Sequence, residues 1–341
     1  MIYIRTDSNN TIATGHVMRC LSIAKAMRKI DEECIFITAD NNSDELINSN
    51  DFETICLESA WEDLDGEIEP LINVIKERKI KKLLIDSYSV TKNYLNILSK
   101  YTKLIYIDDI NLFTYPVDML INYSGSYTQF KYDMQYKDTK TKLILGYNYV
   151  PLREEFCNIK PVIREKVKEI LFTMGGADEN KITSRFIENI INSKSYNTAI
   201  YHIVVGILNK NLDGLNKLVA NYPTIKLHYN VKRMAELMKK CDIAISAGGT
   251  TLLELCACGI PTISFTLADN QKEGTKSLAD DKTLIYVGDV RDDSKACMKS
   301  IFKNIQMLMD DIVFRDNLST KMNNLIDGSG VKRLVNEIQL L

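Results

Sequence analysis

Ile2-Tyr3-Ile4-Arg5-Thr6-Asp7, followed after a polar loop by Ile12-Ala13-Thr14-Gly15-His16-Val17-Met18-Arg19-Cys20, opens the chain. An apolar strand ends in a polar loop, and a helix starts at the Gly-His pair. From there Val17, Cys20, Leu21, Ala24 and Met27 recur at helical spacing, which predicts one buried face of a helix over Val17–Lys29. Further short apolar runs at Cys34–Thr38, Leu83–Asp86, Leu104–Ile107 and Met119–Asn122 alternate with helical patterns such as Glu69–Arg78 and Lys92–Lys100. Strands that are continuously apolar, separated by helices, predict a parallel sheet covered on both faces.

The pattern then restarts. Gly146-Tyr147-Asn148-Tyr149-Val150-Pro151 closes the first series, and a charged stretch around Lys160–Lys168 leads to a second. Its strands are expected at Ile170–Met174, Ile200–Val205, Ile225–His228, Ile243–Ser246, Thr262–Phe265 and Leu284–Val287. Helices fit at Ile182–Asn192, Leu215–Asn221, Met234–Lys239, Leu252–Cys258 and Gln271–Ala279, and three closing helical patterns start near Asp292. The expected fold class is α/β, with two Rossmann-like domains at 1–150 and 151–341. A ligand would sit in the crevice facing the carboxyl ends of their strands.

With 341 residues, 45% of them hydrophobic and 26% charged, the chain is long enough for two ordinary globular domains. A net charge of -2 argues against a broad nucleic-acid surface, whose phosphate contacts need a positive excess. That charge divides as -5 up to Leu152 and +3 beyond, which leans toward an anionic ligand on the C-terminal half. No apolar run is long enough to span a membrane, and the N-terminus lacks signal-peptide features, so a cytoplasmic protein is expected. The eight cysteines lie among apolar runs and read as reduced core residues. Cys256-x-Cys258 has no partner pair or neighbouring His to complete a zinc site.

Four loops at strand ends could carry chemistry. His16 lies at a strand's carboxyl end and in the first turn of a helix, where the dipole disfavours imidazolium and a neutral ring could take a proton from water. The same place would suit a helix residue bonded to its own loop. In Ser246-Ala247-Gly248-Gly249-Thr250-Thr251-Leu252-Leu253-Glu254 the glycines let backbone N–H groups approach a phosphate, and the threonines add hydroxyls. Glu254, one helical turn past Thr250, could accept bonds from ribose hydroxyls; a plain Gly-Gly turn with a Thr cap is the alternative. In Ala268-Asp269-Asn270-Gln271, the Asn270 and Gln271 amides suit a sugar, although Asn is also a common helix cap. Met174-Gly175-Gly176-Ala177-Asp178 is a weaker turn signal. Asp86-Ser87-Tyr88 and Asp108-Asp109 close two N-terminal strands at the same rim, where paired carboxylates could bind metal or act as acid and base, structural caps being their commoner role. His202 and His228, within and at the end of strands, have no metal-ligand spacing.

Taken in order, these motifs resemble the UDP-2,4-diacetamido-2,4,6-trideoxy-β-L-altropyranose hydrolase family of pseudaminic acid biosynthesis. The resemblance is carried by Arg5-x-Asp7, Gly15-His16-Val17-Met18-Arg19-Cys20, Asp86-Ser87-Tyr88, Ile107-Asp108-Asp109 and Leu145-Gly146-x-x-Tyr149. It continues in Leu152-Arg153-x-Glu155-Phe156, Gly175-Gly176-x-Asp178, the Ser246–Glu254 stretch and Asn270-Gln271. Gly-His-x-x-Arg-Cys and Leu-Arg-x-Glu-Phe are its specific parts. Ala13 departs from it, standing where the family usually has Gly.

The resemblance implies a GT-B fold, two Rossmann-like domains facing a central cleft, related to the glycosyltransferase that makes lipid II. It implies metal-independent hydrolysis of a UDP-sugar without a cofactor, water attacking the anomeric carbon with inversion. His16 would be the general base, Tyr88 a nearby active-site hydroxyl, and the C-terminal domain the UDP-binding one. Arg153, Glu254 and Asn270 would contact substrate, with Gly15, Gly248, Gly249, Thr250, Thr251 and Gln271 completing the binding set. The expected partner is a UDP-sugar, with no nucleic acid and no membrane. A GT-B glycosyltransferase using a UDP-sugar donor and a non-catalytic nucleotide-sugar-binding protein are the alternatives.

Overall fold

Leu83, Leu84 and Ile85 are consecutive, point to alternate faces of their strand, and are all fully buried. That is the mark of a sheet covered on both sides. The computed structural model describes residues 1–341 except 10, 13, 177, 179, 194–197 and 207–208, so Ala13 lies outside the described residues. Among the described residues the first sheet comprises β1 (Ile2–Thr6), β2 (Cys34–Thr38), β3 (Glu53–Cys56), β4 (Lys82–Asp86), β5 (Lys103–Ile107), β6 (Met119–Asn122) and β7 (Lys142–Leu145). The second comprises β8 (Glu169–Thr173), β9 (Ile200–Val205), β10 (Ile225–Tyr229), β11 (Ile243–Ala247), β12 (Thr262–Thr266) and β13 (Ile285–Asp289). The connecting helices of the first series are α1 (Gly15–Arg28), α2 (Asp44–Asn48), α3 (Ile68–Glu77), α4 (Lys92–Leu98) and α5 (Tyr132–Gln135). The second series has α6 (Ile182–Asn192), α7 (Leu212–Val219), α8 (Met234–Met238), α9 (Thr250–Cys258), α10 (Asp269–Asp280), α11 (Ser294–Asp310) and α12 (Ile312–Leu325), and α13 (Gly330–Gln339) closes the chain.

Every strand pairing is parallel. The first sheet runs β3-β2-β1-β4-β5-β6-β7 and the second β10-β9-β8-β11-β12-β13. Each therefore reverses direction of growth once, between β1 and β4 and between β8 and β11. Such switch points open a crevice beyond the strands' carboxyl ends, the usual ligand position in this fold class. In the first sheet the crevice adjoins Thr6 and Asp86, which are in register. In the second it adjoins Thr173 and Ser246, also in register.

The chain divides into two compact units, Met1–Glu154 with Ser329–Leu341, and Glu155–Gly328. The sequence reading carries the second domain on to residue 341; the last helix instead belongs to the first unit. α13 buries Val331, Leu334, Val335 and Ile338, and Gly330 sits so close to Val150 that a Cβ would lie 2.5 Å from its carbonyl oxygen. Arg333 Nε donates to Asn148 O at 2.7 Å, and Lys82 Nζ to Ile338 O at 2.9 Å. In the second unit the core includes Phe172 stacked on Phe186 at 4.2 Å, with Phe302 5.3 Å beyond.

Candidate active site

In the first unit α1 places His16 and Arg19 three residues apart on one face, at the carboxyl end of β1. The fully buried Asp86 ends the neighbouring β4. His16 Nδ1 lies 2.6 Å from Asp86 Oδ1, while Arg19 Nη2 and Nε approach the two carboxylate oxygens at 2.5 and 2.6 Å. This is a bidentate, charge-assisted pair. Burial alone would raise the Asp86 carboxyl, but the Arg19 guanidinium and the His16 ring outweigh it and hold the group well below the usual carboxylate range. Arg19 Nη1 reaches Asp109 at 2.7 Å and the Tyr123 hydroxyl at 2.8 Å. The Tyr88 hydroxyl donates to Asp109 at 3.0 Å, and its ring meets His16 edge-on with centroids 4.6 Å apart. Burial and the Asp109 charge push the Tyr88 phenol up, which keeps it a hydroxyl donor.

Arg19 Nη2 lies 3.1 Å from His16 Nδ1 but donates to Asp86 at 2.5 Å, and an ionised carboxylate only accepts, so the 2.6 Å contact with Asp86 puts the ring proton on Nδ1 and leaves Nε2 its lone pair. Among the described residues nothing hydrogen-bonds to Nε2. His16 and Tyr88 are thus brought together, with Arg19 joining them through Asp86 and Asp109. Arg19 is a hub that the sequence analysis did not single out, although its i, i+3 spacing from His16 was a usable signal. Asp108 has another role: Oδ1 accepts from Ile110 N, Asn111 N and the Tyr115 hydroxyl at 2.9 to 3.1 Å, and Oδ2 from the Tyr132 hydroxyl. Arg5-x-Asp7 is structural as well. Arg5, fully buried, pairs with Asp7 and forks onto Glu67 at 2.7 and 2.6 Å, and the Tyr94 hydroxyl donates to Glu67 at 2.7 Å.

Gly15, the first residue of α1, is exposed, and a Cβ there would meet nothing within 4 Å. Gly249 has the same open surroundings at the start of α9, and its φ of +142° suits glycine alone. Of the first-turn N–H groups of α9, that of Leu252 donates to Gly249 O at 3.1 Å, those of Thr250 and Thr251 have no acceptor within the helix, and Thr250 is exposed beside them. Gly248 differs from its neighbour. Its N–H donates to Phe265 O at 2.8 Å, and a Cβ would lie 2.5 Å from Thr275 Oγ1 and 3.0 Å from Gln271 Cβ. This glycine serves close packing of α10 against the turn, and its N–H is not available to a phosphate.

Gln271 Oε1 accepts from Leu267 N at 2.9 Å, tying the β12–α10 loop to the helix. Asn270 stands exposed in the first turn of α10, which Ala268 caps without a side-chain bond. Thr251 and Glu254 are half-buried on α9, and Arg153 is half-buried near the end of the first unit's long segment. Gly206, absent from the sequence analysis, lets the Gly175-Gly176 turn lie against β9: a Cβ would come within 2.2 Å of Gly175 O. All eight cysteines are free thiols. Among the described residues no cluster of His, Cys, Asp or Glu is arranged to hold a metal ion, and no helix is long and apolar enough to cross a membrane.

Two parallel-sheet α/β units with these switch points define a GT-B type protein. Its solved neighbours include MurG of Acinetobacter baumannii, which matches over 100% of both chains with a TM-score of 0.71 at 13% identity. Residues 170–332 match the glycosyltransferase family 28 C-terminal domain. The chain is similar to proteins named UDP-2,4-diacetamido-2,4,6-trideoxy-β-L-altropyranose hydrolase: the Campylobacter jejuni protein of that name is 26% identical over 255 residues, 74% of this chain and 86% of its own. An uncharacterised protein of Methanocaldococcus jannaschii, MJ1062, is 30% identical over 288 residues. That match spans 80% of this chain but only 57% of the archaeal protein's length.

Proposed function

We propose that the protein hydrolyses a UDP-linked diacetamido-trideoxyhexose to free sugar and UDP without a metal, as a step toward a nonulosonic acid such as pseudaminic acid. The reading rests chiefly on one observation: the 2.6 Å contact of His16 Nδ1 with Asp86, which leaves Nε2 as a proton acceptor. Asp86 fixes the tautomer and ring orientation, and Arg19 keeps Asp86 ionised. Nε2 takes a proton from water as the oxygen attacks the anomeric carbon; the C–O bond to the diphosphate breaks, and configuration inverts. Phosphate groups with a second pKa of about 6 leave without strong acid assistance. Tyr88 orients the sugar through its hydroxyl. In the second unit the Gly249–Thr251 helix start takes the diphosphate, where preorganised N–H donors stabilise charge on the leaving group. Glu254 takes the ribose, Asn270 faces the sugar, and Arg153 is a substrate contact.

The test is incubation of the UDP-sugar with the protein and no acceptor, following UDP release and the anomer first formed by NMR. Acceptor-independent UDP release with inversion, lost in His16→Asn, supports the reading. A second reading, transfer to an acceptor hydroxyl, draws on the family 28 match and the MurG likeness. UDP release that appears only when an acceptor is added would establish transfer in place of hydrolysis.

A further inference from the structure

The second sheet holds a chain of three titratable side chains that the proposed reaction does not use. Glu169 starts β8, His202 lies in β9, and His228 lies in the edge strand β10. Glu169 Oε2 is 2.5 Å from His202 Nε2, and His202 Nδ1 is 2.8 Å from His228 Nε2. The His202 side chain is 7% exposed.

The proton positions follow from the partners. A carboxylate only accepts, so a neutral His202 carries its hydrogen on Nε2 and offers a lone pair at Nδ1. His228 must then donate through Nε2–H, which leaves its Nδ1 as the chain's proton acceptor. One added proton is accommodated: His202 becomes an imidazolium against Glu169, and its Nδ1–H donates to a neutral His228. Two added protons are not accommodated, because both facing nitrogens would then carry hydrogen.

We propose that Glu169, His202 and His228 form a proton-counting clamp that holds the edge strand β10 while the histidine pair carries at most one extra proton, and frees it when both rings are charged. The surroundings oppose the second charge. His228 is held below the ordinary histidine range by burial, then by His202, Lys226 and Lys240. Lys226 pairs with His202 across β9 and β10. Behind Glu169 lie Cys241 and the Asp242–Arg164 pair, the latter at 2.8 Å. Among the described residues Glu169 is therefore the only anion bonded to the two rings. Two rings coupled this closely titrate as a pair.

The experiment uses the full chain. Amide exchange of Ile225–Tyr229 is measured from pH 8 to 4.5, corrected for intrinsic rates and referenced to β11. Ring ¹⁵N NMR reports the tautomers. The expected result is Nε2–H on both rings at pH 7.5, and at least about tenfold faster β10 exchange at the acid end of the range than at pH 8. His228→Gln keeps an amide donor and cannot charge, so its profile should be flat. Glu169→Gln removes the anion and should move the loosening to lower pH. If His202 carries its neutral proton on Nδ1, or if wild type and His228→Gln show the same pH profile, the clamp is wrong.

Discussion

Replacing Asp86 with Asn tests the centre of the first unit, because the side chain is fully buried and receives three short bonds. Asn has nearly the same shape but no charge, so the guanidinium of Arg19, 13% exposed, loses its buried counter-ion. Removing one partner of a buried pair costs about 3–5 kcal/mol. Asp109 remains 2.7 Å from Arg19 and offsets part of this, which places the expectation at the lower end, about 3 kcal/mol. At about 2–4 °C per kcal/mol, the melting temperature of this unit falls by about 6–12 °C. Trp61 is the chain's single tryptophan and lies in the first unit, so its fluorescence during urea unfolding reads that unit. The pH dependence has a definite sign. The folded carboxyl lies below its unfolded value, so its contribution is complete above the unfolded pKa, about 3.9, and disappears as pH falls through the folded one. The part of the gap between wild type and variant that comes from the Asp86 carboxyl itself should close only below about pH 4. A variant within about 0.5 kcal/mol of wild type at pH 7 would refute the ion-pair argument.

His16→Asn should slow UDP release by about 10²–10⁴-fold while UDP still binds. Turnover close to wild type would assign the base elsewhere. Asn270→Ala should reduce turnover more than UDP affinity; a roughly 100-fold loss of UDP binding, about 2.7 kcal/mol, would make Asn270 a nucleotide ligand instead. Gly248→Ala should destabilise the second unit by about 1–3 kcal/mol through overpacking. Thr275→Ala should recover more than half of that in a double-mutant cycle read by urea midpoints, since Thr275 Oγ1 is the nearest obstacle. Absence of any coupling would place the strain elsewhere.

The alternation of apolar strands and helices made the doubly wound architecture legible, because strands such as β4 are buried on both faces and so read as unbroken apolar runs. β3 and β7 escaped the same reading because they are edge strands: Glu53 is exposed, and Lys142, Leu143 and Leu145 are half-buried. The return of α13 to the first unit depends on contacts with residues about 180 positions earlier, such as Arg333 with Asn148, which periodicity cannot reveal. At the site, strand-end and helix-start signals marked His16, Tyr88 and the Gly249–Thr251 turn. They did not separate Gly249 from Gly248, because one faces open space and the other faces Thr275 from a helix two elements on. Nor did they reveal His202–His228, whose contact depends on strand order and side-chain face.

Carboxylates at the ends of β1, β4 and β5 are one residue type with different fates, and the differences bear on the choice of base. Asp7 accepts from Arg5 and from Ala39 N at 2.8 Å. Asp108 accepts from two backbone N–H groups and two tyrosine hydroxyls. Asp86 is shared by Arg19 and His16, and Asp109 by Arg19 and Tyr88. At Asp86 the Arg19 and His16 contacts outweigh burial and hold the carboxyl below its usual range, which makes it a poorer proton acceptor, whereas at Asp7 burial prevails and raises the group. A general base needs the reverse, an unengaged lone pair on a group whose protonated form has a partner. His16 Nε2 meets the first condition. Asp86, 2.6 Å from Nδ1, meets the second by facing the imidazolium that forms when the proton arrives. On the proposed reading the rim carboxylates orient and stabilise, and His16 accepts the proton.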